Sequence, residues 1–456
     1  MMRQRYYSMI LFIIFAMQMV SCATLQLPED SRKLIDTSKM TLWKSQGYGF
    51  LIGMQDERVT LFDMTSVSLL YKAGGTLDNE RIIIDGVPFG RLERQSDDLM
   101  RFTEPDGTEI LLNRIDAIPE TVNITQYTKD PVNTFDVFWH TITEQSCLLD
   151  TSYVDWQAAY DAIKPGIVSD TTDTALFLRL AKLIVLLNDH HAYVSDGGKQ
   201  MVSSRTYPRS IWMQRQQDAF LAQLATYMDG GALTPLVADK MLAGTIRGDI
   251  GYLNLLAFEG FSENGDENVE ETAFTEKLDA QLKAWESKKA LIIDLRLNSG
   301  GSDRLALALG NRLTSAPLPV FSKQARIGGR DEFSALHERS LVPTGVQFLG
   351  KPVIVLTSGM TISAADVAAM ILKHPALTNI TTIGEPTAGA FSNMLQKALP
   401  NGWTFAFSNE RYLAAYDGQN YESKGIAPDI ELFQDKTAFA QGKDNILEFA
   451  LSQLEK

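Results

Sequence analysis

Ser363 stands between a predicted strand and a predicted helix, at a position where a hydroxyl could act as a nucleophile. The apolar run Pro352–Leu356 is typical of a buried strand, and the segment Asp366–Lys373 has the pattern of a helix packed on one face. The first N–H groups of such a helix can stabilise an oxyanion formed at its start. A hydrolase is therefore the leading hypothesis, with a second interpretation left open. Residues 363–366 (Ser-Ala-Ala-Asp) also fit a loose capping box, in which Ser363 would only cap the helix.

Partners for a serine nucleophile are present elsewhere in the chain. A serine needs a base, and a histidine base works best when a third group orients it. His190 and His191 follow an apolar predicted helix, and Glu422 lies in a predicted loop. Residues 298–301 (Asn-Ser-Gly-Gly) separate a predicted strand from a predicted helix, where glycines allow a close approach to a ligand or form a simple tight turn. Taken singly, none of these features decides the chemistry.

The composition narrows the classes of function. The 456 residues exceed one compact core and predict two or three domains, and the net charge of −14 without a basic stripe argues against nucleic acid. The chain has neither a GxGxxG pattern nor a phosphate loop. Its five histidines and two cysteines do not gather at metal-ligand spacing, so no metal and no cofactor is predicted.

The first residues predict export and attachment to a membrane. Residues 1–21 combine arginines, an apolar run and small residues before Cys22, as in a bacterial lipoprotein signal, although a plain secretory signal with an incidental cysteine is the alternative. Lipidation of Cys22 would place the protein in the bacterial cell envelope, on the outer membrane facing the periplasm or the exterior. Cys147 would then have no intramolecular disulfide partner and is predicted to be a buried apolar residue in a helix.

Changes of hydrophobic period predict the domain organisation. A tether over residues 22–39 precedes a small all-β domain over 40–118, where short alternating runs are separated by turn signals. Helical periodicity predicts a helical subdomain over 133–245 that carries the two histidines. Alternating strands and helices over 246–456 predict an α/β core.

Five segments in order resemble the C-terminal processing (tail-specific) serine protease family, most closely the branch related to the catalytic core of tricorn protease. They span roughly residues 135–432 and leave 40–118 outside the resemblance. Together they are far more specific than any one segment. The segments are Asp189-His-His-Ala-Tyr-Val194, Ile292-Ile-Asp-Leu-Arg-Leu-Asn-Ser-Gly-Gly301, Thr357-Ser-Gly-Met-Thr-Ile-Ser-Ala-Ala-Asp366, Gly384-Glu-Pro-Thr-Ala-Gly389 and Gly425-Ile-Ala-Pro-Asp-Ile430.

The resemblance implies a core of ββα units like that of ClpP and crotonase, and it implies roles for particular residues. The family's nucleophile falls on Ser363, and the branch without a catalytic lysine places its base on His191 and an acid on Glu422. The implied oxyanion donors are the N–H groups of Ala364 and of one of two adjacent glycines, Gly300 or Gly301.

The chain departs from the family pattern at two positions. The family's Ser–Lys dyad is excluded at its usual place because Ala388 stands there. His190 replaces a small residue, so it is a candidate relay between acid and base, a candidate base itself, or a disturbance of the site. No segment resembles the family's PDZ module.

The sequence therefore predicts a lipid-anchored serine peptidase that acts on a peptide or protein through an acyl-enzyme at a Ser-His-Glu site. A catalytically degenerate binding protein on the same fold is the main alternative, because catalytic residues can persist after turnover is lost. An enzyme that polarises another carbonyl on a crotonase-like core, and a structural envelope protein, are further alternatives.

Overall fold

A computed structural model describes residues 36–455 apart from 106, 126, 150–153, 199, 205–207, 263–266 and 330. The predicted signal peptide, Cys22 and most of the predicted tether lie outside the described residues. Among the described helices, none is both long and apolar enough to cross a membrane.

An eight-stranded closed β-barrel forms the N-terminal part and follows a 3₁₀ turn at Thr37–Lys39. Neighbouring strands pair antiparallel around the barrel, and β3 also pairs with β4, which closes the sheet; β9 adds to β4 in parallel. The interior holds apolar side chains such as Trp43, Ile52 and Phe102. The strands are β1 (Thr41–Ser45), β2 (Phe50–Gln55), β3 (Arg58–Met64), β4 (Ser68–Asp78), β5 (Arg81–Ile84), β6 (Val87–Arg94), β7 (Leu99–Thr103), β8 (Glu109–Ile115) and β9 (Asn123–Thr125).

Three helices pack on a small antiparallel sheet to form a second layer. The helices are α1 (Pro131–Gln145), α2 (Trp156–Ile163, followed by a 3₁₀ turn at Lys164–Gly166) and α3 (Asp173–Leu186). The sheet has the order β11-β10-β21-β20, formed by β10 (Tyr193–Ser195), β11 (Met201–Ser203), β20 (Met394–Ala398) and β21 (Thr404–Ser408). Strand β10 therefore joins the segment after the two histidines to the C-terminal part of the chain.

Cys147 lies just beyond the end of α1, which corrects its predicted place inside a helix. Ser146 adopts an extended backbone conformation and ends the helix. The Cys147 side chain is buried, as predicted, and makes no disulfide bond.

The α/β core is a seven-stranded sheet with helices on both faces. Its order is β12-β13-β14-β15-β18-β19-β23, and the last five strands run parallel. The strands are β12 (Thr234–Val237), β13 (Met241–Ile246), β14 (Ile250–Leu255), β15 (Ala290–Asp294), β18 (Val353–Thr357), β19 (Ile380–Gly384) and β23 (Ile430–Glu431).

Side chains alternate between the two faces of this sheet. Leu291 and Ile293 pack with α6 (Glu267–Ala284), α7 (Asp303–Asn311) and α8 (Ala364–Leu372). Ile292 packs on the other face with α5 (Gln217–Ala225) and α10 (Asn445–Gln453). The remaining elements are α4 (Ile211–Arg215), α9 (Lys436–Ala440) and a three-stranded sheet of β16 (Leu318–Ala325), β17 (His337–Leu341) and β22 (Glu410–Ala414).

The structure agrees with the prediction of an α/β core preceded by an all-β region. Strands β12 and β13 belong to the core sheet, so this sheet begins before residue 246, where the sequence predicts the α/β core to start. The carboxyl ends of the parallel strands β15, β18 and β19 lie side by side, and ligand sites of open α/β sheets form at such an edge.

Candidate active site

Ser363 lies at a strained turn between β18 and α8. Its backbone angles are φ 62° and ψ −126°, whereas an ordinary N-cap residue has an extended backbone with negative φ. A non-glycine residue held in such a region costs about 1–3 kcal/mol and persists only where its surroundings enforce it. The hydrolase nucleophile elbow has this character, because a sharp strand-to-helix turn exposes the serine hydroxyl.

Polar contacts tie the turn before Ser363 to the turn that follows β15. The hydroxyl of Ser358 donates to the carbonyl of Arg296 at 2.6 Å, and the hydroxyl of Thr361 donates to the carbonyl of Leu295 at 2.8 Å. The N–H of Ile362 donates to the carbonyl of Asn298 at 3.2 Å. These contacts hold the two adjacent turns as one unit, so the glycines after Asn298 are fixed relative to Ser363.

Gly300 lies directly against Ser363. A Cβ atom built on Gly300 would be 2.5 Å from Cβ and 3.1 Å from Oγ of Ser363, and 2.8 Å from the carbonyl oxygen of Ile362. Gly301 instead packs on Phe258, whose carbonyl oxygen would lie 2.3 Å from an added Cβ atom. Gly300 therefore leaves room for Ser363, and Gly301 allows the turn to lie against the backbone of Phe258.

We expect Gly300→Ala to lower catalytic turnover by about 100-fold, because the added methyl group must displace Ser363. Gly402→Ala is the matched control, since Gly402 has φ 87° against φ 91° for Gly300, and an added Cβ atom meets nothing within 4 Å. The control should lose about 1 kcal/mol of unfolding free energy through backbone strain and keep its turnover. Equal turnover of the two variants would show that the close contact is unimportant.

Backbone N–H groups near Ser363 differ in their availability. The N–H of Gly300 donates to Oδ1 of Asn298 at 2.9 Å and is already engaged. The N–H groups of Gly301 and Ala364 have no hydrogen-bond partner among the described residues. Of the two glycines left open by the sequence, Gly301 is therefore the one with a free donor.

Asp366 holds the nucleophile turn from inside the protein. Its side chain is fully buried, and Oδ2 accepts the N–H of Ser363 at 2.9 Å. Burial raises the pKa of Asp366 to about 6, although the N–H groups that it accepts act in the opposite direction. The carboxylate thus enforces the unusual backbone of Ser363.

Four consecutive N–H groups of the segment 389–392 are shared between two buried carboxylates. The first two donate to Asp366 at 2.8 and 3.1 Å, and the last two donate to Oε2 of Glu422 at 2.9 and 3.0 Å. This segment follows Ala388, the position at which the family's lysine is absent. It connects the turn of Ser363 to the predicted acid through backbone groups alone.

Glu422 is buried and keeps one oxygen without a hydrogen bond. Only 5% of the residue is exposed, and Oε1 has no partner among the described residues. Burial, and then the nearby carboxylate of Asp189, raises the pKa of Glu422 well above its ordinary value. When it is ionised, a buried carboxylate of this kind can bind a cation strongly if one develops next to it.

Asp189 anchors the turn that carries the histidines. Its buried carboxylate accepts the N–H of His191 at 2.8 Å and both the N–H and the hydroxyl of Ser408, at 2.6 and 2.8 Å. The hydroxyl of Ser423, next to Glu422, donates to the carbonyl of Asn188 at 3.4 Å. The predicted base and acid are therefore carried by segments in contact.

His190 lines a cavity of about 250 Å³, together with Arg209, Gly359, Glu385 and Ala388. His191 is half-buried and does not line this cavity. The two adjacent histidines thus occupy different surroundings. Across the described residues, no group of three or more histidine, cysteine or acidic side chains is arranged to hold a metal ion.

The loose capping box predicted at residues 363–366 is present, because Asp366 accepts the N–H of Ser363. The sequence does not predict the further contacts of Asp366 with the N–H groups of residues 389 and 390, or the contacts that Asp189 makes. A buried acid one turn after a candidate nucleophile was the available signal for Asp366. No local pattern indicated that Asp189 would bind Ser408, which lies 219 residues further along the chain.

Comparison with known proteins assigns the core of the chain. Residues 249–432 match the model of peptidase family S41. This part of the chain is therefore similar to an S41 peptidase domain. Carboxy-terminal processing protease CtpA of Bacillus subtilis (strain 168) is 29% identical over 180 residues, which cover 38% of this chain and 36% of that relative. The predicted resemblance to C-terminal processing proteases is confirmed, although the match spans only about a third of this curated relative.

Two solved structures show that the fold extends beyond the S41 domain. A peptidase candidate from Parabacteroides merdae ATCC 43184 matches with a TM-score of 0.61 and 24% identity, over 72% of this chain and 97% of that chain. Mature CPAF matches with a TM-score of 0.51 and 14% identity, over 70% of this chain and 95% of that chain. At these identities the likeness establishes the fold alone.

Proposed function

We propose that this protein is a serine peptidase that hydrolyses peptide or protein substrates through an acyl-enzyme. The observation that carries the proposal is the strained Ser363 beside two N–H groups without partners, those of Ala364 and Gly301. A helix cap alone does not require this backbone conformation. The S41 domain and its resemblance to a carboxy-terminal processing protease support the same class of reaction.

The mechanism follows the general scheme of serine hydrolases. His191 accepts the proton of the Ser363 hydroxyl as Oγ attacks the substrate carbonyl, and the N–H groups of Ala364 and Gly301 stabilise the oxyanion. The imidazolium then returns its proton to the leaving amine, and the acyl-enzyme forms. Water attacks this ester with His191 again as base, and the carboxylic acid product leaves. Glu422 stabilises the imidazolium from its buried position.

His190 is proposed as a relay between Glu422 and His191, since it lies next to the base. Its cavity also contains Ala388, so no lysine side chain at that position competes with a histidine base. This arrangement supports a Ser-His-Glu site in place of a Ser–Lys dyad.

Glu422→Gln is expected to lower kcat by about 10- to 100-fold with little change in KM, because the amide cannot stabilise an imidazolium as a carboxylate does. The pKa of Glu422 is raised, so the wild-type carboxyl group is neutral at low pH and ionises as the pH rises. The ratio of wild-type to variant kcat should therefore grow as the pH rises. A ratio of wild-type to variant kcat that stays at one at every pH would show that Glu422 has only a structural role.

We propose a core related to ClpP and crotonase, supported by the parallel strands and the helices on both faces. We also propose the domain division given by the sequence and lipid anchoring through Cys22 in the bacterial cell envelope, supported by the order of charged, apolar and small residues before it.

Hydrolysis of peptides is the direct test of the proposed function. The chain starting after Cys22 would be incubated with a library of unstructured peptides, and the products would be identified by mass spectrometry. Cleavage by the wild-type protein that is lost in Ser363→Ala and His191→Ala supports the proposal. Cleavage that survives in either variant contradicts the assignment of that residue.

A further inference from the structure

The barrel contacts the rest of the protein through buried polar groups. The hydroxyl of Tyr48 donates to Oε1 of Glu410, which is fully buried at the start of β22. The ammonium group of Lys323 lies 3.3 Å from the Glu410 carboxylate and donates to the hydroxyl of Thr108 at 2.8 Å. Buried charged groups of this kind tolerate little displacement, because a lost partner leaves an uncompensated charge.

A second set of contacts joins the barrel to the same region. The buried ammonium group of Lys397 donates to the carbonyls of Tyr48 and Gly49 at 2.7 and 2.9 Å, and to Asp63 at 2.6 Å. Both sets include the turn at Tyr48, which has a positive φ of 59°. This turn is therefore fixed against the core by a side chain and by its backbone.

The strand end at residues 408–410 connects this interface to the candidate active site. The N–H groups of Asn409 and Glu410 donate to the hydroxyl of Ser392 at 3.1 and 3.0 Å. The N–H of Ser392 in turn donates to Glu422 at 3.0 Å. Only Glu410 and Ser392 thus separate the Tyr48 hydroxyl from the proposed catalytic acid.

The same strand end also supports the base. The backbone and hydroxyl of Ser408 bind Asp189, which holds the N–H of His191. The three consecutive residues 408–410 therefore contact the residues that hold the proposed base and the proposed acid. One of the three, Glu410, is held by the barrel. Sites whose supporting residues are fixed by packing and hydrogen bonds keep the geometry that catalysis needs.

We propose that the barrel is a positioning element of the active site, in which Tyr48 and Glu410 act through Ser392 to hold Glu422. The inference rests on the proposed peptidase function, and it assigns a role to the part of the chain that lies outside the S41 domain. Tyr48, Glu410 and Ser392 are positioning residues, since the contacts place them behind Glu422 and not on the substrate.

The test measures kcat and KM for a cleaved peptide in Tyr48→Phe, Ser392→Ala and the double variant. Each single variant should lower kcat by about tenfold and change KM by less than about twofold, because Glu422 shifts while the substrate surface is untouched. The double variant should fall little below the lower single variant, since both changes interrupt one route. Tyr71→Phe is the matched control, because the Tyr71 hydroxyl contacts Gly74 within the barrel and should leave kcat unchanged.

The outcomes separate this inference from the proposed function. A Tyr48→Phe variant that loses thermal stability but keeps the wild-type kcat overturns the positioning role, and so does a double variant whose two losses multiply. If Tyr48→Phe does not fold, Ser392→Ala decides alone, and an unchanged kcat there overturns the inference. If the wild-type protein cleaves no peptide, the proposed function is contradicted, and so is the inference that rests on it.

Discussion

Ser363→Ala is expected to reduce peptide hydrolysis roughly a millionfold, to a rate given by binding and the oxyanion donors alone. The hydroxyl is the only group of this residue that can form the acyl-enzyme. The fold should persist, because the N–H of Ser363 still donates to Asp366 and the apolar face of α8 is unchanged. Turnover would be followed by product formation, and the fold by circular dichroism and thermal unfolding.

Ser363→Gly provides the control for backbone strain. Glycine adopts φ 62° freely, whereas serine and alanine do not. The glycine variant should be as inactive as the alanine variant but more stable by about 1 kcal/mol, a gain expected when strain is relieved at a functional residue. An alanine variant that keeps measurable turnover would contradict the role of Ser363, and a glycine variant less stable than alanine would contradict the strain.

Asp366→Ala is expected to have the second largest effect, on both activity and stability. Three backbone N–H groups, those of Ser363 and of residues 389 and 390, would lose their acceptor inside the protein. Unsatisfied buried donors cost about 1–3 kcal/mol each, so a loss of at least about 3 kcal/mol of unfolding free energy is expected. Turnover should fall by at least about 100-fold, because the strained turn is no longer enforced. Denaturant unfolding and peptide hydrolysis measure the two effects.

The pH dependence of this variant has a definite sign. The pKa of Asp366 is raised from 3.8 to about 6 in the folded protein, so the folded state binds this proton more tightly than the unfolded chain. The associated stability is present below about pH 4 and is lost as the pH rises through about 6. The stability gap between wild type and Asp366→Ala should therefore be larger at pH 4.5 than at pH 7.5.

The elements around the candidate site follow from local sequence patterns. Strand β18 and helix α8 differ from the predicted segments Pro352–Leu356 and Asp366–Lys373 by one or two residues at each end. These segments are continuously apolar and are bounded by turn residues, which is typical of buried parallel strands and the helices that cover them. The strand-to-helix turn at Ser363 was predicted for the same reason.

The closure of the barrel and the inner supports of the site could not be read from sequence. Strands β3 and β4 close the barrel by pairing along most of their length, and turn signals indicate strands without specifying such closure. The contacts of Asp189 with Ser408 and of Lys397 with Asp63 join residues more than 200 positions apart. The hydrogen bonds that the backbone N–H groups of residues 389–392 donate do not depend on the identity of the side chains. They can therefore be identified only from the structure.

The choice between the two glycines shows the same limit of local patterns. Residues 298–301 predict a tight turn but do not say which N–H the Asn298 side chain accepts. The structure assigns that contact to Gly300, which leaves the N–H of Gly301 available. Only the atomic positions show which glycine N–H is available, because both residues are glycines with positive φ.

Covalent labelling tests the central claim, an activated nucleophile at Ser363, most directly. The chain starting after Cys22 would be treated with a serine-directed fluorophosphonate, and the adduct would be located by peptide mass spectrometry. We expect a single adduct on Ser363 in the wild-type protein and none in a folded His191→Ala variant. An unlabelled Ser363 in the folded wild-type protein would contradict the account and favour a catalytically degenerate binding protein on the same fold.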